Sequence, residues 1–386
     1  MGGRIIGLAL AAAFVASSAA SACDLHAADA AKAGPHCAQA WMDANLRLND
    51  ILAVGTHNSY HMRTPEPVMA LIRIVAPKTW QGLDYNHGPL ADQLNDGARA
   101  LELDLAYDPD GGRYAHPAGA KLANLTLEPA WTATMSKPGL KVLHIQDVDY
   151  TSNCLTFVAC LTIIRDWSRA HPRHVPILIT MNTNDEKTHA PGGTDELPFT
   201  TAAYDALDAE IRSVFKASEL ITPDDVRGGL PTLREAVTTR GWPTLGASRG
   251  KVLFALDEGQ AHVDAYRGGR KTLEGRVLFV NSPSESDADA AYITLNERSD
   301  IPRIQADIKA GMVVRTRADA DTVEARGNDT SRRDAALASG AQYVSTDYMQ
   351  PDTRLSSYQA RLPNGAIAVC NPVRAATACA GLPIEP

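Results

Sequence analysis

Residues 98–116 read Ala-Arg-Ala-Leu-Glu-Leu-Asp-Leu-Ala-Tyr-Asp-Pro-Asp-Gly-Gly-Arg-Tyr-Ala-His, and this stretch points to both the fold and the chemistry. Glu102 and Asp104 alternate with leucines, so both carboxylates share one face of a predicted strand. Neighbouring carboxylates repel each other unless a cation, a proton or an arginine neutralises them. The turn at 108–112 is expected to bring His116 back towards them. The alternative is an ordinary acidic pair on a solvent-facing strand.

Composition and the amino terminus indicate an exported protein. The chain has 386 residues and a formal net charge of -8, without a basic stripe, which argues against a nucleic-acid partner. Residues 1–22 have the pattern of a signal peptide, with Arg4 before an apolar core and small residues at 20–22. No later stretch is apolar enough to span a membrane. We therefore predict a secreted or periplasmic protein of unknown oligomeric state.

The six cysteines fall into three pairs that are close in sequence: Cys23 with Cys37, Cys154 with Cys160, and Cys370 with Cys379. In an exported chain, an even number of locally paired cysteines indicates disulfides rather than a metal site. A lipid anchor on Cys23 is the alternative for the first pair. It is less favoured, because Ala20 stands where lipoproteins usually carry leucine.

Eight short apolar runs predict strands, most of them separated by helical stretches. They cover residues 51–55, 101–105, 141–146, 176–182, 251–256, 276–280, 312–317 and 342–347. Alternating strands and helices favour a parallel sheet, and eight such strands predict an α/β fold of the (β/α)₈ TIM-barrel type. The predicted organisation is a signal peptide at 1–22, an extension at 23–47, a barrel at 48–352, and a tail at 353–386 with a local disulfide.

Polar side chains stand where these strands end, and the carboxyl ends of barrel strands form the active-site face. They are His57, Asn58, Glu102, Asp104, Asn182, Asp257, Asn281, Arg317 and Asp347. Asn58, Glu102, Asp104 and Asn182 offer the oxygen ligands that calcium prefers, and the absence of thiol and imidazole in this set disfavours zinc. One Ca²⁺ ion is predicted, with Mg²⁺ less favoured. The alternative is that both asparagines only cap backbone groups.

Two histidines are candidates for acid–base catalysis. His57 ends the first strand, and His116 follows the turn after the second. One imidazole can take a proton from a nucleophile while another donates one to a leaving group. We interpret His61, His87 and His144 as structural residues.

These motifs resemble the catalytic set of phosphoinositide-specific phospholipases C, which have His-Asn at the first strand, Glu-x-Asp at the second, and a second histidine about a dozen residues further on. Three stretches resemble signatures of the bacterial calcium-dependent branch: Gly55–His61, Arg315–Asp319 and Ser339–Asp347. The resemblance covers roughly residues 48–352. It implies a PLC-like phosphodiesterase barrel.

The resemblance also implies how the site works. Calcium would be held by Asn58, Glu102, Asp104 and a fourth-strand residue, with histidines at 57 and 116 in acid–base and phosphate-stabilising roles. Phosphatidylinositol would yield diacylglycerol and a cyclic inositol phosphate. Asn182 stands where better-known members have glutamate, so either calcium binds more weakly or a carboxylate such as Asp257 or Asp185 compensates.

Other residues are expected to assist. Arg315 and Arg317 share one face of the seventh strand and can present guanidinium groups to phosphate, with a salt bridge as the alternative. Asp257 is a further candidate for substrate binding. Asp347 can orient His57. A helix at 67–75, in the first strand-to-helix loop, is expected to contact lipid through Leu71 and Ile72 unless it only packs on the barrel.

Three functions remain open at this point. The first is a secreted phosphatidylinositol phospholipase C. The second is a related barrel phosphodiesterase acting on glycerophosphodiesters or sphingophospholipids, which is disfavoured because the first strand lacks a His-Arg-Gly motif. The third is a non-catalytic barrel that binds phosphate or inositol. The presence of two histidines and two acidic ligands favours the first.

Overall fold

A computed structural model describes residues 23–185, 190–379 and 381–385. The predicted signal peptide at 1–22 lies outside the described residues. All three predicted disulfides are present: Cys23–Cys37, Cys154–Cys160 and Cys370–Cys379. The sulfur of Cys23 is thereby bonded to Cys37, which leaves no thiol for the alternative of a lipid anchor.

The strands of the described chain form two five-stranded sheets, in the orders β10-β1-β9-β8-β7 and β3-β2-β4-β5-β6. Eight of them run parallel to their neighbours, whereas β3 and β10 pair antiparallel with β2 and β1. The bounds are β1 Ile51–Thr56, β2 Ala100–Ala106, β3 Lys141–Val142, β4 Ile177–Asn184, β5 Val252–Leu256, β6 Leu278–Val280, β7 Tyr292–Thr294, β8 Val313–Arg317, β9 Tyr343–Thr346 and β10 Ala368–Cys370.

The two sheets adjoin at two seams, so that the parallel strands follow one another in the order of a barrel. At the first seam the backbone amide of Arg99 donates to Val54 at 2.9 Å, and that of Ser59 donates to Glu102 at 3.0 Å. Gly55 permits this close approach, because a Cβ there would lie 2.0 Å from the carbonyl oxygen of Ala100. At the second seam a parallel bridge links Asn281, beyond β6, to β7.

Two of the strand predictions need correction, although the number of parallel strands is right. The predicted strand at 141–146 contributes only the two residues of β3, which pair antiparallel with the end of β2. The eighth parallel strand is instead β7, which the sequence analysis missed. A run of three residues is too short to show a period-two pattern, so its strand character comes from pairing with β8.

Helices cover the outside of the barrel. They are α1 Ala38–Asn45, α2 Glu66–Val75, α3 Pro77–Gly82, α4 Leu90–Asn95, α5 Ala118–Leu122, α6 Pro129–Met135, α7 Phe157–Ala170, α8 Thr201–Val214, α9 Pro223–Arg227, α10 Leu233–Glu235, α11 Leu245–Ser248, α12 Gln260–Arg267, α13 Ile301–Lys309, α14 Val323–Gly327 and α15 Ser331–Ser339. One turn of π-helix, Ala236–Arg240, follows α10. Helix α7 shows how the sequence specifies them. The Thr156 side chain caps its first turn, and Phe157, Cys160, Leu161 and Ile164 bury one face.

The segments outside the barrel are fastened to its amino-terminal end. β10 pairs with β1 from Ile51 opposite Cys370, and the Glu385 carboxylate accepts a hydrogen bond from the Val175 amide at 2.8 Å and pairs with Arg99. Residues 368–379 and 381–385 of the tail, joined to the extension by the Ala30 amide that donates to Ala378 at 3.0 Å, therefore close the end of the barrel opposite the candidate site. The first part of the tail lies at the candidate-site end instead, where the Tyr358 hydroxyl donates to the Ala318 carbonyl at 3.0 Å. Within the described part of the chain, none of the helices has the length and apolar character needed to cross a bilayer.

Candidate active site

The carboxyl ends of neighbouring strands bring the predicted cation ligands to one rim. Asp104 on β2 pairs in register with Asn182 on β4. Glu102 and Asp104 share the same face of β2, and the Ser59 amide, just after Asn58, donates to the Glu102 carbonyl at 3.0 Å. The local sequence therefore folds as the alternation of acidic and apolar residues requires. Leu101, Leu103 and Leu105 are buried in the core behind them.

Three oxygens of this set are buried and have no hydrogen-bond donor among the described residues: Asn58 Oδ1, Asp104 Oδ1 and Asn182 Oδ1. The opposite ends of the same side chains are held. Asn58 Nδ2 donates to the Tyr85 hydroxyl at 3.0 Å, and Asp104 Oδ2 accepts from the Tyr60 hydroxyl at 2.9 Å. A buried acceptor without a donor costs about 1–3 kcal/mol, so three such oxygens on one rim fit a hard cation.

Charge around Asp104 supports the same fit. Burial, together with the nearby Glu102 carboxylate, raises the pKa of Asp104 to about 7, although the charge of His144 opposes the shift. A bound cation would favour the ionised carboxylate.

Glu102 is already partly neutralised by an arginine. Arg315 pairs with Glu102 Oε2, lies 3.6 Å from Asp257 Oδ2 and donates to Asn296 Oδ1 at 3.1 Å. Arg315 is buried in this network, so the salt bridge that the sequence analysis kept as the alternative is present. Asp257 likewise faces Arg315, and burial raises its pKa. The roles of Arg315 and Asp257 in substrate binding stay predictions.

His57 lies between a carboxylate and a guanidinium. Its Nδ1 is 2.8 Å from Asp347 Oδ1, and Arg317 Nη1 donates to its Nε2 at 3.1 Å. Burial first, and then the charge of Arg317, hold the pKa of His57 well below its usual range. The ring is therefore neutral: its Nδ1–H donates to Asp347 Oδ1, and its lone pair is at Nε2, 3.7 Å from Glu102 Oε1.

The structure does not bring His116 to this cluster. The residue is exposed, and among the described residues it has neither a hydrogen bond nor an ion pair with the rim. The turn at 108–112 forms, with the Gly111 amide donating to the Asp108 carbonyl at 3.3 Å, but it starts no strand beside β2. The strand that returns along β2 is β3, more than thirty residues later. There the Leu143 amide donates to the Asp104 carbonyl at 3.3 Å, which brings His144 to the rim instead.

His144 has the features that were expected of His116. Its Nδ1 is 2.8 Å from Asp149 Oδ2, and 28% of its side chain is exposed at the rim. Although burial opposes it, the hydrogen bond and charge of Asp149 raise the pKa of His144. Sequence patterns do not single out Asp149, Tyr60 or Tyr85, and they favour a structural role for His144. A usable signal was the position of His144 directly after an apolar run.

A comparison with known families decides the assignment. The family model for Ca²⁺-dependent phosphoinositide phospholipase C matches residues 46–372. The chain belongs to this family. It is therefore a phosphoinositide phospholipase C-like phosphodiesterase, and the predicted resemblance is confirmed. No protein of curated function matches the sequence.

Solved structures of calcium-dependent phosphoinositol-specific phospholipases C share the fold. The apo enzyme of a Pseudomonas species, in its second crystal form, is 17% identical, with 85% of this chain and 96% of that chain covered and a TM-score of 0.53. A myoinositol complex of the Pseudomonas enzyme is 18% identical, with 84% and 96% covered and a TM-score of 0.52. The enzyme of Streptomyces antibioticus is 20% identical, with 78% and 95% covered and a TM-score of 0.50. The predicted TIM-type barrel is confirmed.

Proposed function

We propose that this phosphodiesterase cleaves the bond between glycerol and phosphate in phosphatidylinositol, giving diacylglycerol and a cyclic inositol phosphate. The observation that carries this proposal is a rim with three unpartnered buried oxygens and with two imidazoles whose pKa values shift in opposite directions. Opposite shifts in one site separate a base from an acid. The myoinositol complex of the similar Pseudomonas enzyme supports inositol as the headgroup.

The two imidazoles supply the proton transfers. His57 Nε2 takes the proton from the inositol 2-hydroxyl while that oxygen forms its bond to phosphorus. The bond from phosphorus to the glycerol oxygen breaks, and His144, as an imidazolium, donates its Nε2 proton to that oxygen. Asp347 and Asp149 hold the Nδ1 atoms of the two rings, each at 2.8 Å, so that each Nε2 is left for the substrate.

Arg317 lies where phosphate charge develops. It donates to His57 Nε2 and lies 3.3 Å from Asp347 Oδ2, so its guanidinium can turn from the imidazole towards a phosphoryl oxygen. Asn58, Asp104, Asn182 and Glu102 Oε1 would hold one calcium ion, which would offset negative charge on the phosphoryl oxygens. Mg²⁺ is less suited to so many protein oxygens.

A lipid surface is the proposed place of reaction. Leu71, Ile74 and Val75 of α2 are 39%, 77% and 81% exposed, and they lie on one helix face in the loop that follows β1. Ile72, which was expected to contact lipid with Leu71, is buried instead. Insertion of this apolar face into a bilayer would place the rim over its substrate. Three disulfides and the predicted signal peptide support export as a secreted or periplasmic enzyme.

The test is product analysis on vesicles that contain phosphatidylinositol, followed by ³¹P NMR with and without EGTA. Cyclic inositol phosphate that disappears with EGTA supports the proposal. A related phosphodiesterase is supported instead by release of choline phosphate or choline from sphingomyelin. It is also supported if glycerophosphodiesters are cleaved and phosphatidylinositol is not. Failure to cleave any diester would leave a barrel that only binds phosphate or inositol.

A matched pair of variants tests the choice of the second imidazole. We expect His144→Ala to lower kcat by roughly 10²–10⁴-fold, since general acid catalysis contributes that much. His116→Ala is the comparison, because it removes an exposed imidazole that makes no hydrogen bond or ion pair with the rim among the described residues. A larger loss in His116→Ala than in His144→Ala would reverse the assignment.

A further inference from the structure

A second donor cluster lies beside the oxygen-lined site and differs from it in chemistry. Its three members, His61, His144 and Asp149, each offer a ligand atom, and these atoms all lie within 4.8 Å of one another. His61 Nε2 and His144 Nδ1 are each 2.8 Å from the same carboxylate oxygen, Asp149 Oδ2. The lone-pair positions of two imidazoles thus converge on one point.

The rings are held in place by their surroundings. His61 and Asp149 are fully buried, and the ring of His61 stacks on Tyr85, with centroids 4.2 Å apart and an interplanar angle of 18°. Thr64 donates a hydrogen bond to Asp149 Oδ1. Only His144 reaches solvent, through the exposed 28% of its side chain. The cluster is therefore pre-organised, with one open side through which an ion can enter.

The spacing and the donor types suit a tetrahedral transition ion. Ligand atoms about 2.0–2.1 Å from Zn²⁺ at tetrahedral angles lie about 3.3 Å from each other. The two imidazole nitrogens are now 2.8 Å from Asp149 Oδ2, so each of these distances needs to lengthen by only about 0.5 Å when an ion replaces the shared proton. Two imidazoles and one carboxylate favour Zn²⁺, whereas Ca²⁺ favours oxygen alone. Since all six cysteines are in disulfides, no thiolate competes for the ion.

We propose that His61, His144 and Asp149 form a second metal site, which takes Zn²⁺ in preference to Ca²⁺, with water completing the tetrahedron. Occupation of His144 Nδ1 by the ion prevents this ring from becoming an imidazolium. The ring can then no longer donate its proton to the leaving group, so Zn²⁺ inhibits the enzyme. This inhibitory consequence rests on the proposed role of His144, whereas binding of the ion does not.

The first test measures binding without lipid. Mature protein with its disulfides intact is saturated with Ca²⁺ and titrated with ZnCl₂ by calorimetry, and Co²⁺ is used as a visible-absorption probe of tetrahedral coordination. We expect one ion per chain. His61→Gln should weaken binding roughly tenfold or more, because its amide can still donate to Asp149 but it lacks the imidazole ligand. His26→Gln, which removes an exposed histidine, is the matched control.

The second test measures inhibition on phosphatidylinositol vesicles in excess Ca²⁺. We expect His61→Gln to require roughly tenfold or more Zn²⁺ than the wild type for half inhibition, with each protein compared with its own rate in the absence of Zn²⁺. Should His61→Gln fail to fold, His144→Gln serves in the binding assay, since its side chain is partly exposed. Equal Zn²⁺ affinity in wild type and either cluster variant would overturn the proposed metal site. Zn²⁺ that binds the intact cluster without inhibiting cleavage would overturn the inhibitory consequence and, with it, the proposed acid role of His144. Absence of activity on lipid with intact Zn²⁺ binding would count against the proposed function alone.

Discussion

Replacing Asn182 by aspartate tests whether this side chain faces the cation. Asn182 Nδ2 is 3.3 Å from Glu102 Oε1, so an aspartate oxygen in its place would bring two carboxylates together. At an effective dielectric constant of about 20, two unit charges 3.3 Å apart repel by about 5 kcal/mol. The cost cannot exceed that of protonating one of the two carboxylates. Raising the pKa of an aspartate from about 3.9 to 7 costs about 4 kcal/mol, which sets this limit. In EGTA we therefore expect Asn182→Asp to lose about 2–4 kcal/mol of unfolding free energy.

Calcium should reverse the penalty. A divalent ion beside three carboxylates gains an additional charged ligand, and calcium affinity in proteins rises with the number of ligand charges. We expect the Kd for Ca²⁺ to fall about tenfold or more in Asn182→Asp, and the unfolding free energy in excess Ca²⁺ to return to that of the wild type. Urea unfolding in EGTA and in Ca²⁺, with calorimetric titration of Ca²⁺, measures both quantities.

Asn184→Asp is the matched control. Asn184 is two residues further along the same strand and face, but its Nδ2 donates to the backbone carbonyls of Leu143 and His144 at 2.9 and 2.8 Å. An aspartate there should destabilise the protein equally with and without Ca²⁺. If Asn182→Asp behaves in this same way, or if it weakens Ca²⁺ binding, the placement of Asn182 among the cation ligands is wrong.

Three further predictions follow from individual contacts. Asp347→Asn should lower kcat at least about a hundredfold with little change in KM, because the His57 ring loses the carboxylate that orients it. Steady-state kinetics on vesicles measure both constants, and a rise in KM without the loss in kcat would contradict the prediction. Burial lowers the pKa of His174 from 6.5 to about 4. Between these pH values the unfolded chain binds a proton at His174 and the folded chain does not. About 3 kcal/mol of stability that is present above pH 6.5 is therefore lost as the pH falls towards 4. Urea unfolding of His174→Gln in EGTA should show a correspondingly flatter pH dependence, and an unchanged slope would refute the linkage. Replacing Cys370 and Cys379 by serine should cost about 2–3 kcal/mol, the loop-closure value for a nine-residue separation, and equal melting of variant and wild type would contradict it.

Lipid contact by α2 gives one more prediction. Ile74→Asp with Val75→Asp should weaken binding to phosphatidylinositol vesicles at least about tenfold, since each exposed apolar side chain that enters lipid contributes about 1–2 kcal/mol. Leu25→Asp is the control, because Leu25 is also an exposed apolar residue, at 39%, but belongs to the extension at the opposite end of the barrel. Sedimentation with vesicles measures the binding. Equal loss in the control would attribute the effect to added charge rather than to insertion of α2.

The sequence specifies the barrel where each element carries its own signal. The strands β1, β2, β4, β5, β8 and β9 lie close to their predicted bounds, because each has at least four residues and is rich in apolar and β-branched side chains, either throughout or in alternation with polar ones. The strand β7 has only three residues and β3 only two, and runs as short as these carry no such signal. Their assignments depend on pairing with β8 and β2, which are contacts distant in sequence, and local patterns do not encode these.

The same distinction separates the predicted side chains from the missed ones. Residues fixed by position on a strand, such as Glu102 and Asp104, could be placed because a period of two settles which face they share. The second imidazole could not be placed, because the turn after β2 leads into a long excursion rather than a hairpin. Only the antiparallel return of β3 brings His144 to Asp104, and with it the carboxylate of Asp149.

The two arginines of β8 show how the rim divides its charges. They share one face of the strand, yet Arg315 neutralises Glu102 and faces Asp257, whereas Arg317 faces His57 and Asp347. No arginine pairs with Asp104 among the described residues, and burial, together with the Glu102 carboxylate, raises the pKa of Asp104 to about 7 although the charge of His144 opposes the shift. The unmet demand for positive charge is therefore concentrated at Asp104 and the two asparagine oxygens. A divalent ion there would act together with Arg317, which lies beside His57 and Asp347, and both would offset the negative charge of a phosphodiester.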